Sequence, residues 1–134
     1  MRTILVVEDE PVIRELAHVI LQECGYEVLQ AESGREALWV WEEHAHSIDL
    51  VLTDVVMPDG VSGMDLAQRL LAVKPDLKII FASGYSMDNL DPVFAKQAHA
   101  GFLQKPYTHL TLAKAVRDCL DRKPEPAEAP AVGK

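Results

Sequence analysis

The chain has 134 residues, 49% of them hydrophobic and 25% charged, with a formal charge of −8. That length suits one globular domain with a real core, and the acidic balance excludes binding to a polyanion, which needs Lys and Arg against the phosphates. The apolar runs are too short to span a bilayer and no signal peptide is expected, so the protein is expected in the cytoplasm.

Strand and helix alternate five times along the chain. The first apolar run, at 4–7, ends in "VVEDEP". A helix follows over 11–24, with Val12, Ile13, Leu16, Ala17, Val19 and Ile20 on its apolar face and Gly25 as its stop. The second strand is expected at 27–30. A helix over 33–44 opens with Ser33 and has Glu36 three residues later, a capping-box pattern. The third strand, at 50–53, leads into "TDVVMPDG", and a helix over 63–73 carries Met64, Leu66, Ala67, Leu70 and Leu71. The fourth strand is expected at 77–82. Segment 86–97 is the weakest helix, because Asp91-Pro92 reads as an N-cap and first turn and so places its start near 92. A fifth strand at 101–103 and a helix over 108–120, capped by Thr108, complete the domain. Residues 1–122 therefore form one domain, and 123–134 a flexible tail or linker with too little apolar surface to fold. Cys24 and Cys119 form no metal or CxxC pattern and read as small core residues near helix ends. His18, His44, His46, His99 and His109 read as surface or packing residues.

Such alternation implies a parallel sheet covered by helices on both faces. Ligands of these sheets bind outside the carboxyl ends of the strands. Residues just after strands one, three, four and five should then share one crevice: Glu8, Asp9 and Glu10, then Asp54, Ser83 and Lys105. Taken singly, each has an ordinary explanation. Glu10 before Pro11 suits a helix start, and Asp54, Ser83-Gly84 and Lys105-Pro106 suit turns or solvated loops. Their joint placement at four crevice-facing strand ends favours a site.

Two carboxylates about 4 Å apart repel by roughly 4 kcal/mol at an effective dielectric near 20. Glu8, Asp9 and Asp54 together need a proton, a cation, or both. Lys105 offsets part of the charge, and a hard divalent cation such as Mg²⁺ suits the rest; no His or Cys stands at these strand ends to favour zinc or copper. With a metal, an amine and a hydroxyl nearby, Asp54 is suited to attack phosphorus and form an aspartyl phosphate.

These pieces, "ILVVEDE", "DLVLTDVVMPDGVSG", "IIFASGY" and "GFLQKPY", resemble the receiver domains of two-component response regulators over roughly residues 2–122. The resemblance implies a flavodoxin-like, doubly wound, five-stranded parallel sheet of order 2-1-3-4-5 with helices on both faces. It implies Asp54 as the phosphoacceptor for a phosphohistidine, and Mg²⁺ held by Glu8, Asp9, Asp54 and the Val56 carbonyl. By the same resemblance Lys105 is expected to contact the phosphoryl group, the Lys105–Pro106 bond to be cis, and Ser83 and Phe102 to be the switch pair. The donor is a histidine kinase, separate or in cis as a hybrid kinase, or a histidine phosphotransfer protein. Segment 86–97, the fifth strand and the C-terminal helix form the face that partners read and through which a homodimer can form. The resemblance thus implies a signalling phosphoacceptor, not an enzyme with turnover on other substrates.

Three departures stand out: Glu8 where aspartate is commoner, a loop after Asp54 one residue longer than usual, and a proline-broken segment at 86–97. Val56 and Tyr85 match positions that in this family flank the path of attacking water; neither can orient it as an amide or carboxylate would and both are bulky, which predicts slow self-dephosphorylation. Two rival readings have different chemistry. An unphosphorylated pseudo-receiver docking module would not need Asp54, Ser83 and Lys105. A nucleotide or flavin enzyme would need a Gly-rich phosphate loop where "EDEP" stands. The motif style is closer to hybrid-kinase receivers than to DNA-binding regulators.

Overall fold

The computed structural model describes residues 2–55, 57, 60–84 and 101–121. The expected helix at 86–97, the expected tail at 123–134, and Val56, Tyr85 and His99 lie outside the described residues.

Five strands, β1 (Thr3–Val7), β2 (Glu27–Ala31), β3 (Ile48–Asp54), β4 (Lys78–Ser83) and β5 (Gly101–Gln104), pair in parallel in the order β2-β1-β3-β4-β5. The flavodoxin-like order expected from the resemblance is the one observed. Side chains alternate across the sheet, as a strand requires. Leu5, Val7, Val51, Ile79 and Phe81 face one way, against Ala37 and Trp41 of α2 (Gly34–His44) and Leu66 and Leu70 of α3 (Gly63–Val73). Ile4, Val6, Leu50, Leu52, Ile80 and Ala82 face the other way. They meet Ala17, Ile20 and Leu21 of α1 (Pro11–Glu23) and Leu112, Val116 and Cys119 of α4 (His109–Asp121). Burial on both faces is why the central strands read as continuous apolar runs.

Local chemistry sets the ends of the helices. Gly25 adopts φ 94°, and the Gly25 and Tyr26 amides donate to the carbonyls of Gln22 and Leu21, closing α1 in a Schellman motif. The Ser33 hydroxyl accepts from the Glu36 amide at 3.0 Å. The Glu36 carboxylate, however, accepts from Glu32 and not from Ser33, so the expected capping box closes one residue early. A reciprocal box does form at Ser62 and Asp65, where aspartate replaces the usual Glu or Gln. Thr108 caps α4 through a hydrogen bond from the Thr111 amide.

Other expectations need correction. The apolar face of α1 is broader than the sheet can cover, and Val12, Leu16 and Val19 remain exposed. Cys24 is exposed at the C-cap, while Cys119 is in the core as expected. Strand β3 starts at Ile48, two residues early: the register shifts between Thr3 and Ile4, and the bulged Asp49 accepts a hydrogen bond from the Thr3 amide at 2.8 Å. An aspartate inside an apolar run looks like a strand boundary, which hid this extension.

Candidate functional site

The carboxyl ends of β1, β3, β4 and β5 converge. Glu8 continues β1, its amide donating to Ala31 at 3.0 Å, and it is buried, as are Asp54 at the end of β3 and Ser83 at the end of β4. The Lys105 amide donates to the Ser83 carbonyl at 2.9 Å, extending the β4–β5 ladder by one residue. That extension aims the ammonium group across the sheet, where Nζ lies 2.7 Å from Glu8 Oε1 and 2.6 Å from Asp54 Oδ1. The Lys105–Pro106 bond is cis. Asp9 is exposed at the mouth, and Glu8, Asp9 and Asp54 each offer an oxygen within 4.8 Å of the others.

The charges are divided unequally. Burial pushes the Glu8 carboxyl up, but the lysine, a hydrogen bond from Asp54 and the Glu10 amide together outweigh it and hold Glu8 below its ordinary value. The Glu10 amide donates to Glu8 Oε2 at 3.2 Å. Asp54 is likewise desolvated; Lys105 favours its ionised form, yet burial together with the neighbouring Glu8 charge pushes it up to about 7. The extra proton of the pair therefore belongs on Asp54. Burial alone would lower the Lys105 value, but its contacts with Asp54 and Glu8 outweigh this and hold it above the ordinary value. Tyr107, buried beside the cluster, is pushed up to about 12 by desolvation and by the Glu8 charge, so its phenol stays neutral.

Surrounding residues hold the cluster in place, and the sequence did not reveal them. The Arg14 guanidinium donates to the Glu8 carbonyl at 2.8 Å. The Gly63 amide donates to Val55 at 2.8 Å, and a Cβ at position 63 would collide with the Asp54 carbonyl oxygen. Only glycine lets the start of α3 pack on the backbone of Asp54. A glycine opening a helix in which nothing else calls for one was the available signal. Gly63→Ala should destabilise the fold by about 1–3 kcal/mol, as overpacking does, read as a lower urea midpoint; an unchanged midpoint would show that the contact relaxes freely. Phe102, one of the expected switch residues, is half-exposed and stacks on Phe81 with ring centroids 6.3 Å apart. Glu10 is the N-cap of α1, with no side-chain cap, followed by Pro11.

The residues present fit a hard cation. The donors are all carboxylate oxygens; Lys105 engages one oxygen each of Glu8 and Asp54, and neither Asp9 oxygen is in an ion pair with it. Among the described residues no other cluster of three potential ligands occurs.

Fold and site together define a flavodoxin-like α/β domain with an acid trio and a lysine at the carboxyl edge of its sheet. The chain belongs to the response regulator receiver domain family, whose sequence profile matches residues 4–117. It is 40% identical over 121 residues to the sensor kinase CckA of Brucella abortus (strain 2308), covering 90% of this chain and 13% of that protein. It is also 36% identical over 107 residues to the receiver protein CpdR of the same organism, covering 80% and 87%. Among solved structures, the response regulator TrrA of Thermotoga maritima, in complex with Mg²⁺ and BeF, superposes with a TM-score of 0.77 at 39% identity, covering 89% of this chain and 99% of that one. The chain thus spans a small part of the length of its sensor-kinase relative and most of that of CpdR. Membership places it in two-component signalling. No helix among the described residues is long and apolar enough to cross a membrane.

Proposed function

We propose that this domain takes a phosphoryl group onto Asp54 from the phosphohistidine of a histidine kinase or a histidine phosphotransfer protein. An Asp54 oxygen attacks phosphorus, the P–O bond forms as the P–N bond to the imidazole breaks, and the imidazole leaves. Lys105 contacts the phosphoryl oxygens, and the Ser83 hydroxyl moves toward them. Bound Mg²⁺, held by Asp9, Asp54, Glu8 and the Val56 carbonyl, would neutralise charge on the transferring group. Phe102 would follow Ser83, and the face that includes β5 and α4 would carry the signal to a partner or to a second copy. The reading includes a cytoplasmic protein that catalyses only its own phosphotransfer and dephosphorylation.

The observation that carries this reading is Lys105 clamped between two buried acids, Glu8 and Asp54, beside the exposed Asp9. A docking module that is never phosphorylated gains nothing from so costly a cluster. The bound state of TrrA, a relative of close sequence, supports the same chemistry here. Titration with beryllium and fluoride tests it: spectral changes that require Mg²⁺ support phosphoryl binding at Asp54, and none at all would favour the pseudo-receiver reading.

The aspartyl phosphate is proposed to be long-lived, because Val56 and Tyr85 offer no amide or carboxylate to orient water and are bulky enough to impede it. Combining Val56→Asn with Tyr85→Glu should shorten the phosphoryl lifetime about tenfold or more, followed by release of inorganic phosphate. An unchanged lifetime would contradict the assignment.

A further inference from the structure

The contact between Arg14 and Glu8 has a bearing on metal binding that rests on the Mg²⁺ reading above. Asp9 is exposed, and among the described residues its carboxylate has no hydrogen bond or ion pair. Its side chain therefore receives no direction from neighbours, and its position depends on the backbone that carries it. That backbone leaves the sheet at Glu8, whose amide is the last of β1 to join β2, through Ala31. The next peptide, Glu8–Asp9, exposes its carbonyl to α1. Arg14 is one turn into α1, with its amide bonded to the Glu10 carbonyl. Helical side chains lean toward the N-terminus of their helix, and Arg14 Nη1 donates to the Glu8 carbonyl at 2.8 Å. The guanidinium thus closes a loop from the end of β1 to the first turn of α1 and fixes the plane of the peptide that orients Asp9.

We propose that Arg14 is a positioning residue for the metal cradle: by holding the Glu8–Asp9 peptide it presents the Asp9 carboxylate to Mg²⁺. Two considerations predict opposite signs for its removal. As a positive charge near three acids, Arg14 should repel Mg²⁺, so losing it would tighten binding. As the support of Asp9, its loss should weaken binding, because groups behind metal ligands commonly contribute tenfold or more to affinity.

The test is isothermal titration of Mg²⁺ into the metal-free full chain for wild type, Arg14→Met, Arg14→Lys and Arg69→Met. Arg69 is exposed on α3, so its substitution controls for the lost charge. Methionine keeps an unbranched helical side chain and removes the donor. We expect Arg14→Met to bind about tenfold more weakly, Arg14→Lys to fall between it and wild type because one donor remains, and Arg69→Met to bind as wild type or tighter. Melting in EDTA should stay near wild type for Arg14→Met; if that variant does not fold, Arg14→Lys decides, and its binding must be at least about twofold weaker. Arg14 variants that bind as well as wild type, or a loss shared by Arg69→Met, would overturn the proposal while leaving the Mg²⁺ site intact. A wild type that binds no Mg²⁺ would overturn both.

Discussion

Asp54→Asn should make the metal-free protein more stable at pH 8 and insensitive to Mg²⁺. Asp54 is raised from its ordinary value near 3.8 to about 7 by burial and the Glu8 charge, with Lys105 offsetting only part. A carboxyl with a raised folded-state pKa contributes stability that is full below about 4 and is lost as pH rises through 7. Above pH 7.5 the wild type carries the whole cost of ionising it, and asparagine does not. Discounting for the coupling with Glu8, the variant should gain about 2 kcal/mol there, or about 6 °C in melting temperature for a domain of this size. Near pH 4 the gain should vanish. Mg²⁺ at a hundred times its dissociation constant stabilises wild type by about 2.7 kcal/mol; Asp54→Asn should lack this response. Melting curves in EDTA and in Mg²⁺ at pH 4, 6 and 8 check both parts. A variant melting at or below wild type at pH 8 in EDTA would contradict the account of a repulsive site relieved by metal.

The second large effect has the opposite sign. Lys105→Met should destabilise the protein by about 3–5 kcal/mol at pH 8, because two buried carboxylates lose the one ammonium that bridges them. Methionine preserves much of the side-chain volume, so packing contributes little to the loss. At pH 5 protons replace the lysine and the penalty should shrink to about half or less. The sign follows from Asp54: it is already raised by burial and by Glu8, Lys105 is what opposes that rise, and without the lysine stability falls as pH rises. Chemical denaturation at pH 5 and pH 8 measures the difference. Equal losses at the two values would mean that the lysine supports packing and not charge.

The fold was legible because its signals are local. Continuous apolar runs at 4–7 and 79–82 mark strands buried on both faces, and Gly25, Ser33 and Thr108 mark helix ends through chemistry within a few residues. The acid cluster was legible for a different reason: parallel alternation alone converts the ends of strands into neighbours, so Glu8, Asp54, Ser83 and Lys105 could be placed together before any distance was known. Failures came where a residue's role depends on a distant contact. Asp49 extends β3 because its carboxylate meets the Thr3 amide; Cys24 is exposed at the C-cap of α1. Arg14 and Gly63 act on the acid cluster through backbone groups of Glu8, Val55 and Asp54, and nothing in an arginine or a glycine taken alone announces such a partner. Even the reciprocal capping box was displaced, from Ser33 and Glu36 to Ser62 and Asp65.

The clamp on Lys105 also gives Glu8 a definite part. Its longer side chain reaches Lys105 Nζ at one oxygen while the other accepts the Glu10 amide. Glu8 therefore remains ionised and leaves the extra proton to Asp54, the group proposed to become a nucleophile once metal displaces that proton. Glutamate at this position is thus compatible with an acid trio in which the two deeper members share the lysine and the third, Asp9, faces solvent.

The central claim is that Asp54 is a phosphoacceptor that depends on Mg²⁺. Intact-mass measurement after incubation with acetyl phosphate, followed by peptide mapping, tests it most directly. The account predicts one added phosphoryl group on wild type in Mg²⁺, lost on treatment with hydroxylamine and mapped to the peptide containing Asp54, with none in EDTA or in Asp54→Asn. Phosphorylation that persists in Asp54→Asn, or that proceeds equally in EDTA, would contradict it.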